Sequence, residues 1–214
     1  MIEIPTLMRD LAIKRPLFHS EADFQHALAW LIHEKHPDYG VRLEYTSSVN
    51  VGEEKMQLDI WLAKPGIAIE LKYKTGKPKD AIKFNSESYD LRDQSAQTQG
   101  RYDFLKDIQR LESLSGFPNA KAGFAILLTN DALYWRGPAR KNTVDAAFSL
   151  RGDPGLRIQG EMAWSRRASV GTTRGRGKPI RLKGSYEVEW QAYSRIAGGR
   201  YGEFRYLVVR AAIR

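Results

Sequence analysis

The stretch Leu58-Asp59-Ile60-Trp61-Leu62-Ala63-Lys64-Pro65-Gly66-Ile67-Ala68-Ile69-Glu70-Leu71-Lys72-Tyr73 decides how this chain is read. Two short apolar runs, Leu58 to Ala63 and Ile67 to Tyr73, flank the breaker Pro65-Gly66, the pattern of a β-hairpin. Side chains on a strand alternate between faces. Leu58, Ile60 and Leu62 are therefore expected on one face of the first strand, and Ile67, Ile69 and Leu71 on one face of the second. Glu70 and Lys72 share the opposite face of the second strand. An even-numbered loop would bring Asp59 opposite Glu70 or Lys72. Two carboxylates and an ammonium would then meet on a mostly apolar hairpin, where an ionised group is costly unless paired or metal-bound. That makes the trio a candidate site.

Two adjacent carboxylates repel each other, and a divalent cation relieves the repulsion. Oxygen ligands suit Mg²⁺ or Mn²⁺ rather than Zn²⁺, and Mg²⁺ usually takes only one or two carboxylates. Such an ion polarises a phosphodiester and lowers the pKa of a bound water. A lysine beside it can orient that water or stabilise developing negative charge.

An acidic residue on one strand followed by acid-x-Lys on the next resembles the PD-(D/E)XK, or restriction-endonuclease-like, nuclease superfamily. Here Asp59 and Glu70-Leu71-Lys72 carry the resemblance; Leu58 stands where the family often has Pro. The resemblance implies an α/β core of helix, three-stranded meander, helix and strand, covering about Ser20 to Asn130. It implies metal-dependent phosphodiester hydrolysis, with Asp59 and Glu70 holding Mg²⁺ or Mn²⁺ and Lys72 serving the water. An acid on the first helix often reaches the metal in this family, and Glu21 matches that position. A Gln, Lys or Arg on the second helix often lies close to the lysine, and Gln97 and Arg101 match that position ahead of Gln94.

The flanking pattern agrees with such a core. Ser20 to His36 reads as a helix with Ser20 as N-cap, Asp23 as its capping partner and a stripe of Phe24, Leu28, Leu31 and Ile32. Glu21 falls within that stripe. A second helix is expected from about Asp93 to Leu114 on Phe104, Leu105, Ile108 and Leu111, with Asp103 and Asp107 assigned to the solvent side. Gly123 to Thr129 is a continuous apolar run, as in a strand covered on both faces. Leu133-Tyr134-Trp135 reads as one more short strand, and Val41 to Val51 as the strand before the hairpin, with Glu44 on its exposed face or, alternatively, a further site acid.

The 214 residues include no cysteine, which excludes disulfides and thiolate metal sites and is compatible with a reducing, cytoplasmic setting. No run is apolar enough to span a membrane and no signal-peptide pattern starts the chain. The formal charge of +9 is uneven: residues 1–150 balance, while residues 151–214 hold 14 Lys+Arg against 5 Asp+Glu. The densest part holds Arg166, Arg167, Arg174, Arg176, Lys178, Arg181 and Lys183. Gly171, Gly175, Gly177 and Pro179 lie among them, so 170–179 reads as a flexible basic loop that attracts phosphate. Alternating strands are expected at Leu156–Trp164, Tyr186–Tyr193 and Glu203–Val209, with a turn at Gly198-Gly199. Trp164, Tyr186 and Tyr201 are candidates for stacking on bases.

The sequence thus reads as an α/β protein with a mixed central sheet flanked by helices. Residues 1–150 form the nuclease-like core and 151–214 a basic β-rich elaboration packed on it. The expected partner is nucleic acid, DNA before RNA, with a homodimer or partner subunit compatible. The competing reading is an inactive nucleic-acid-binding or interaction module of the same fold.

Overall fold

The computed structural model describes residues 2–51, 54–94, 96–136, 142–196 and 199–213, with the side chains of 47–51 and 54 left out. In chain order the elements are α1 (Ile4–Lys14), α2 (Glu21–Lys35), β1 (Val41–Val51), β2 (Glu54–Leu62), β3 (Ile67–Lys74), β4 (Ile82–Phe84), β5 (Glu87–Tyr89), α3 (Gln97–Glu112), β6 (Ala122–Thr129), β7 (Arg157–Met162), α4 (Val170–Thr173), β8 (Ile180–Glu187), β9 (Trp190–Arg195) and β10 (Glu203–Ala211). Six strands form one mixed sheet in the order β1-β2-β3-β6-β10-β9. β3 and β6 run parallel and the other neighbours antiparallel. No helix is long and apolar enough to cross a membrane among the described residues.

The sheet has a core on each face. α1 and α2 cover one, packing Leu7, Leu11, Phe24, Leu28 and Ile32 on Ile60, Ile69, Leu71, Ile126 and Phe204. α3 and the β7–β8 hairpin cover the other, packing Phe104, Ile108, Leu111 and Ile180 on Ala68, Ala125, Leu127 and Leu207. β6, apolar and buried throughout, lies between them. The last third of the chain places β9 and β10 in this same sheet, while β7–β8 is a separate ribbon. Glu112, buried on α3, fixes that ribbon by accepting from Lys183 N (2.8 Å), Gly184 N (2.7 Å) and the Tyr186 hydroxyl (2.6 Å).

Local signals explain the elements that position the site. Ser20 caps α2, its hydroxyl accepting from Asp23 N at 3.1 Å. The β2–β3 loop has four residues between the paired Leu62 and Ile67, with Gly66 in the left-handed region at φ +69°.

Several expectations need correction. Leu58 does not share a face with Ile60 and Leu62: Met56 and Leu58 pack towards α3, and Ile60 and Leu62 towards α2. The change falls at Asp59, beside Glu44, which adopts φ +47° within β1 and interrupts the alternation there. Leu133-Tyr134-Trp135 is a turn rather than a strand, closed by Arg136 N donating to Ala132 O. The strand expected over Tyr186–Tyr193 is two strands, broken at Val188-Glu189.

The basic segment 170–179 is docked on α3 instead of free. Tyr102 donates to Lys178 O, Gln99 to Thr172 O, and Arg176 pairs with Asp103. Finally, the candidate stacking aromatics are packed. Trp164 lies against Tyr102 and Phe148, Tyr186 bonds Glu112, and Tyr201 lies so close to Gly76 that a Cβ there would meet its ring at 2.2 Å. Gly198 of the expected turn lies outside the described residues; Gly199 begins a short 3₁₀ turn.

Candidate active site

The β2–β3 ladder stops early. Ile60 pairs with Ile69, and the next step in register would pair Asp59 with Glu70, but no such pair forms. Beyond this point the edge of β3 is served by carboxylates. Asp59 Oδ2 accepts the N–H of Leu71 at 2.6 Å, and Glu21 Oε2 accepts the N–H of Tyr73 at 2.7 Å. An acid from β2 and an acid from the first turn of α2 thus take the place of a neighbouring strand. Gln25, one turn further along α2 and buried, donates to the main-chain oxygen of Asp59 and to Glu44 Oε1, both at 2.7 Å. Gln57 holds the other oxygen of Glu44.

On the α3 side of the same strand lies a charge cluster in which Glu70 and Asp107 are buried and Lys72 and Arg110 partly so. Lys72 Nζ is 2.7 Å from Asp107 Oδ2. Arg110 lies 3.3 Å from both Glu70 Oε1 and Asp107 Oδ1. Glu70 is only 2 % exposed. Asp107, expected in solvent, is buried instead. Its position is readable: it lies three residues after Phe104 and four before Leu111, on the stripe that faces the sheet. Arg110 follows it by three residues and carries no such signal.

Burial raises the pKa of the Glu70 carboxyl well above the usual glutamate range, and the charge of Asp107 adds to this against the opposing pull of Arg110. Burial likewise raises Asp59, although the Leu71 N–H and Lys72 favour its charged form. Asp107 is raised by burial despite Lys72. For Lys72, burial pulls the pKa down, but the charge and hydrogen bond of Asp107 outweigh it and hold the ammonium above its usual value.

The other expected site residues lie apart from this cluster. Gln97, the first residue of α3, donates to Asp131 Oδ2 at 2.6 Å. Arg101 is buried and paired with Asp145, with a second bond to Leu133 O. Its guanidinium therefore faces a carboxylate rather than an open phosphate path. Of the basic residues, Arg176 is committed to Asp103, and Arg167 reaches Asn142 O. Arg166, Arg174 and Lys178 are exposed.

Among the described residues no three His, Asp or Glu side chains form a ready cage for a metal ion. Asp59 and Glu70 still fit a Mg²⁺-type ion by donor chemistry, since two carboxylates and water satisfy it. Burial is the main cause of their raised pKa values, and nearby acids add to it: Glu21 and Glu44 at Asp59, Asp107 and Asp59 at Glu70; a dication would offset both effects. The chain matches no protein-family model, no curated protein and no solved structure.

Proposed function

We propose that this chain is a nuclease hydrolysing phosphodiester bonds, DNA before RNA, with Mg²⁺ or Mn²⁺ held by Asp59 and Glu70. The observation that carries the reading is the opening of the β2–β3 ladder at Asp59, which leaves Asp59 and Glu21 on the edge of β3, next to the stretch whose α3 side carries Glu70 and Lys72. Apart from the short β4–β5 hairpin inserted before α3, the order α2-β1-β2-β3-α3-β6, with β3 parallel to β6, supports a restriction-endonuclease-like core.

The bound ion would supply Lewis acidity and a more acidic water. The protein's part follows from its own groups. Lys72, kept protonated beside Asp107, presents positive charge where a phosphoryl oxygen gains negative charge. Glu21 and Asp59, each anchored on a β3 main-chain N–H, keep their carboxylates oriented without waiting for substrate. Arg166, Arg174 and Lys178 supply non-specific attraction to the phosphate backbone.

One observation favours the non-catalytic alternative. Lys72 is engaged with α3 through Asp107, as a structural ion pair would be. Incubating the protein with circular and linear, single- and double-stranded DNA and with RNA, with and without Mg²⁺ or Mn²⁺, separates the two. Metal-dependent cutting lost in Glu70→Gln and Lys72→Ala supports the nuclease. Binding without cutting, unchanged by metal or by Glu70→Gln, supports the binding module.

A further inference from the structure

A cavity of about 550 Å³ opens where the turn after β6 meets the start of β9. This lies within the size range of small-molecule sites. Its walls include Trp135, Trp190, Arg205, Glu187 and Glu189. The two indoles stand 5.8 Å apart at 54°, forming an angled aromatic wall. Both are held in place. Trp190 donates its indole N–H to Leu150 O at 2.6 Å, and the Trp135 ring is covered by the Arg205 guanidinium at 5.4 Å. Arg205 is in turn fixed by Glu203 at 2.7 Å. Glu187 is shared with Arg157, whereas Glu189 is exposed and has no ion-pair partner among the described residues.

We propose that this cavity binds one base of the nucleic-acid strand, stacked on Trp190, and prefers a base that carries both an amino group and a ring carbonyl. Planar rings of any base stack on a fixed indole. The carboxylate of Glu189 accepts hydrogen bonds, so it favours an exocyclic amine. Arg205 can only donate, so it favours a carbonyl. Guanine and cytosine offer both groups; adenine lacks the carbonyl, and thymine and uracil lack the amine. The strand origin of the base rests on the nuclease reading. Location supports it. Lys74, Thr129 and Arg205 are consecutive partners across β3, β6 and β10. Backbone alternation puts all three on the face that carries α3. At about 4.8 Å per strand, Arg205 is therefore about 10 Å along the sheet from Lys74, two residues beyond Lys72.

The test uses the whole chain and nucleosides, which carry no phosphodiester, so its outcome is independent of whether the protein cuts. Indole N–H resonances are followed by NMR, with that of Trp190 assigned from Trp190→Phe. Guanosine or cytidine is expected to shift the Trp190 signal at concentrations where adenosine and thymidine do not. Exposed Glu189→Gln is expected to reduce that preference about tenfold. An oligothymidine carrying one guanine or cytosine is expected to bind more tightly than the free nucleoside. No shift with any nucleoside, equal shifts with all four, or unchanged preference in Glu189→Gln overturns the pocket. Nucleoside binding with no gain in the oligomer overturns its assignment to a strand.

Discussion

Asp59 Oδ2 lies 2.6 Å from the amide nitrogen of Leu71, where a backbone carbonyl of β2 would have stood had the ladder continued. One side chain therefore does two jobs: it terminates the strand pairing and presents a carboxylate at the opening. Asp59→Asn separates them, because an amide oxygen still accepts from Leu71. Thermal unfolding should show a change of about 1 kcal/mol or less. Metal-dependent cleavage should fall on the order of 10²-fold or more. A variant that unfolds without loss of specific activity in its folded fraction would reduce Asp59 to a structural role.

Glu70 is expected to trade stability for function. Its carboxyl pKa is raised in the folded state, by burial first and by Asp107 second. Between its unfolded value and that raised value the folded protein holds more protons than the unfolded one, so stability falls as pH increases through this window. Glu70→Gln removes the cost. In metal-free buffer its melting temperature should exceed that of the wild type at neutral pH. The difference should shrink towards zero below the usual glutamate pKa, near 4.3. Scanning calorimetry across pH tests the sign. Added Mg²⁺ should stabilise the wild type and leave Glu70→Gln nearly unchanged.

The Lys72–Asp107 pair should be strongly coupled. Asp107 is buried and Lys72 largely covered, with 16 % of its side chain exposed, so removing one partner strands a charge, at a cost of up to about 3–5 kcal/mol. Removing both as Lys72→Met with Asp107→Asn should cost less than the two single changes added together, with a coupling of about 1–3 kcal/mol. Denaturant melts of the four proteins measure it. Additive effects would mean that the two side chains do not meet in solution.

The hairpin, its even loop, the capped helix and the buried strand β6 are legible because each rests on a local pattern: alternation, Pro65-Gly66, Ser20 with Asp23, an unbroken apolar run. The face change at Asp59 is not legible. It depends on Glu44 adopting φ +47° fifteen residues away, and glutamate carries no preference for that conformation. The docking of the basic loop is also hidden, since its glycines announce a break in regular structure but not the Tyr102, Gln99 and Asp103 contacts that hold it. Strand β8 is masked by its charges. Arg181 and Lys183 alternate with buried Ile180 and Leu182, so the basic residues that mark this run as a loop are the exposed face of a strand.

These contacts divide the basic residues into two groups with different expected phenotypes. Arg166, Arg174 and Lys178 are exposed, and their side chains hold nothing among the described residues. Changing all three to Gln should leave the melting temperature unchanged. It should weaken DNA binding for every sequence alike and flatten the dependence of log K on log salt by about 0.9 for each phosphate no longer neutralised. Arg176 behaves differently. Its guanidinium makes two bonds to Asp103, at 2.6 and 2.8 Å, and its carbonyl accepts from Trp164. Both partners of the pair are about a third exposed, so Arg176→Gln should cost only about 0.5–1 kcal/mol. Because that arginine is already neutralised by Asp103, its removal should change the salt slope least. Fluorescence anisotropy with a labelled duplex at several salt concentrations distinguishes the groups. An equal fall in slope for Arg176→Gln and for each of the exposed residues would show that the ion pair opens to bind phosphate.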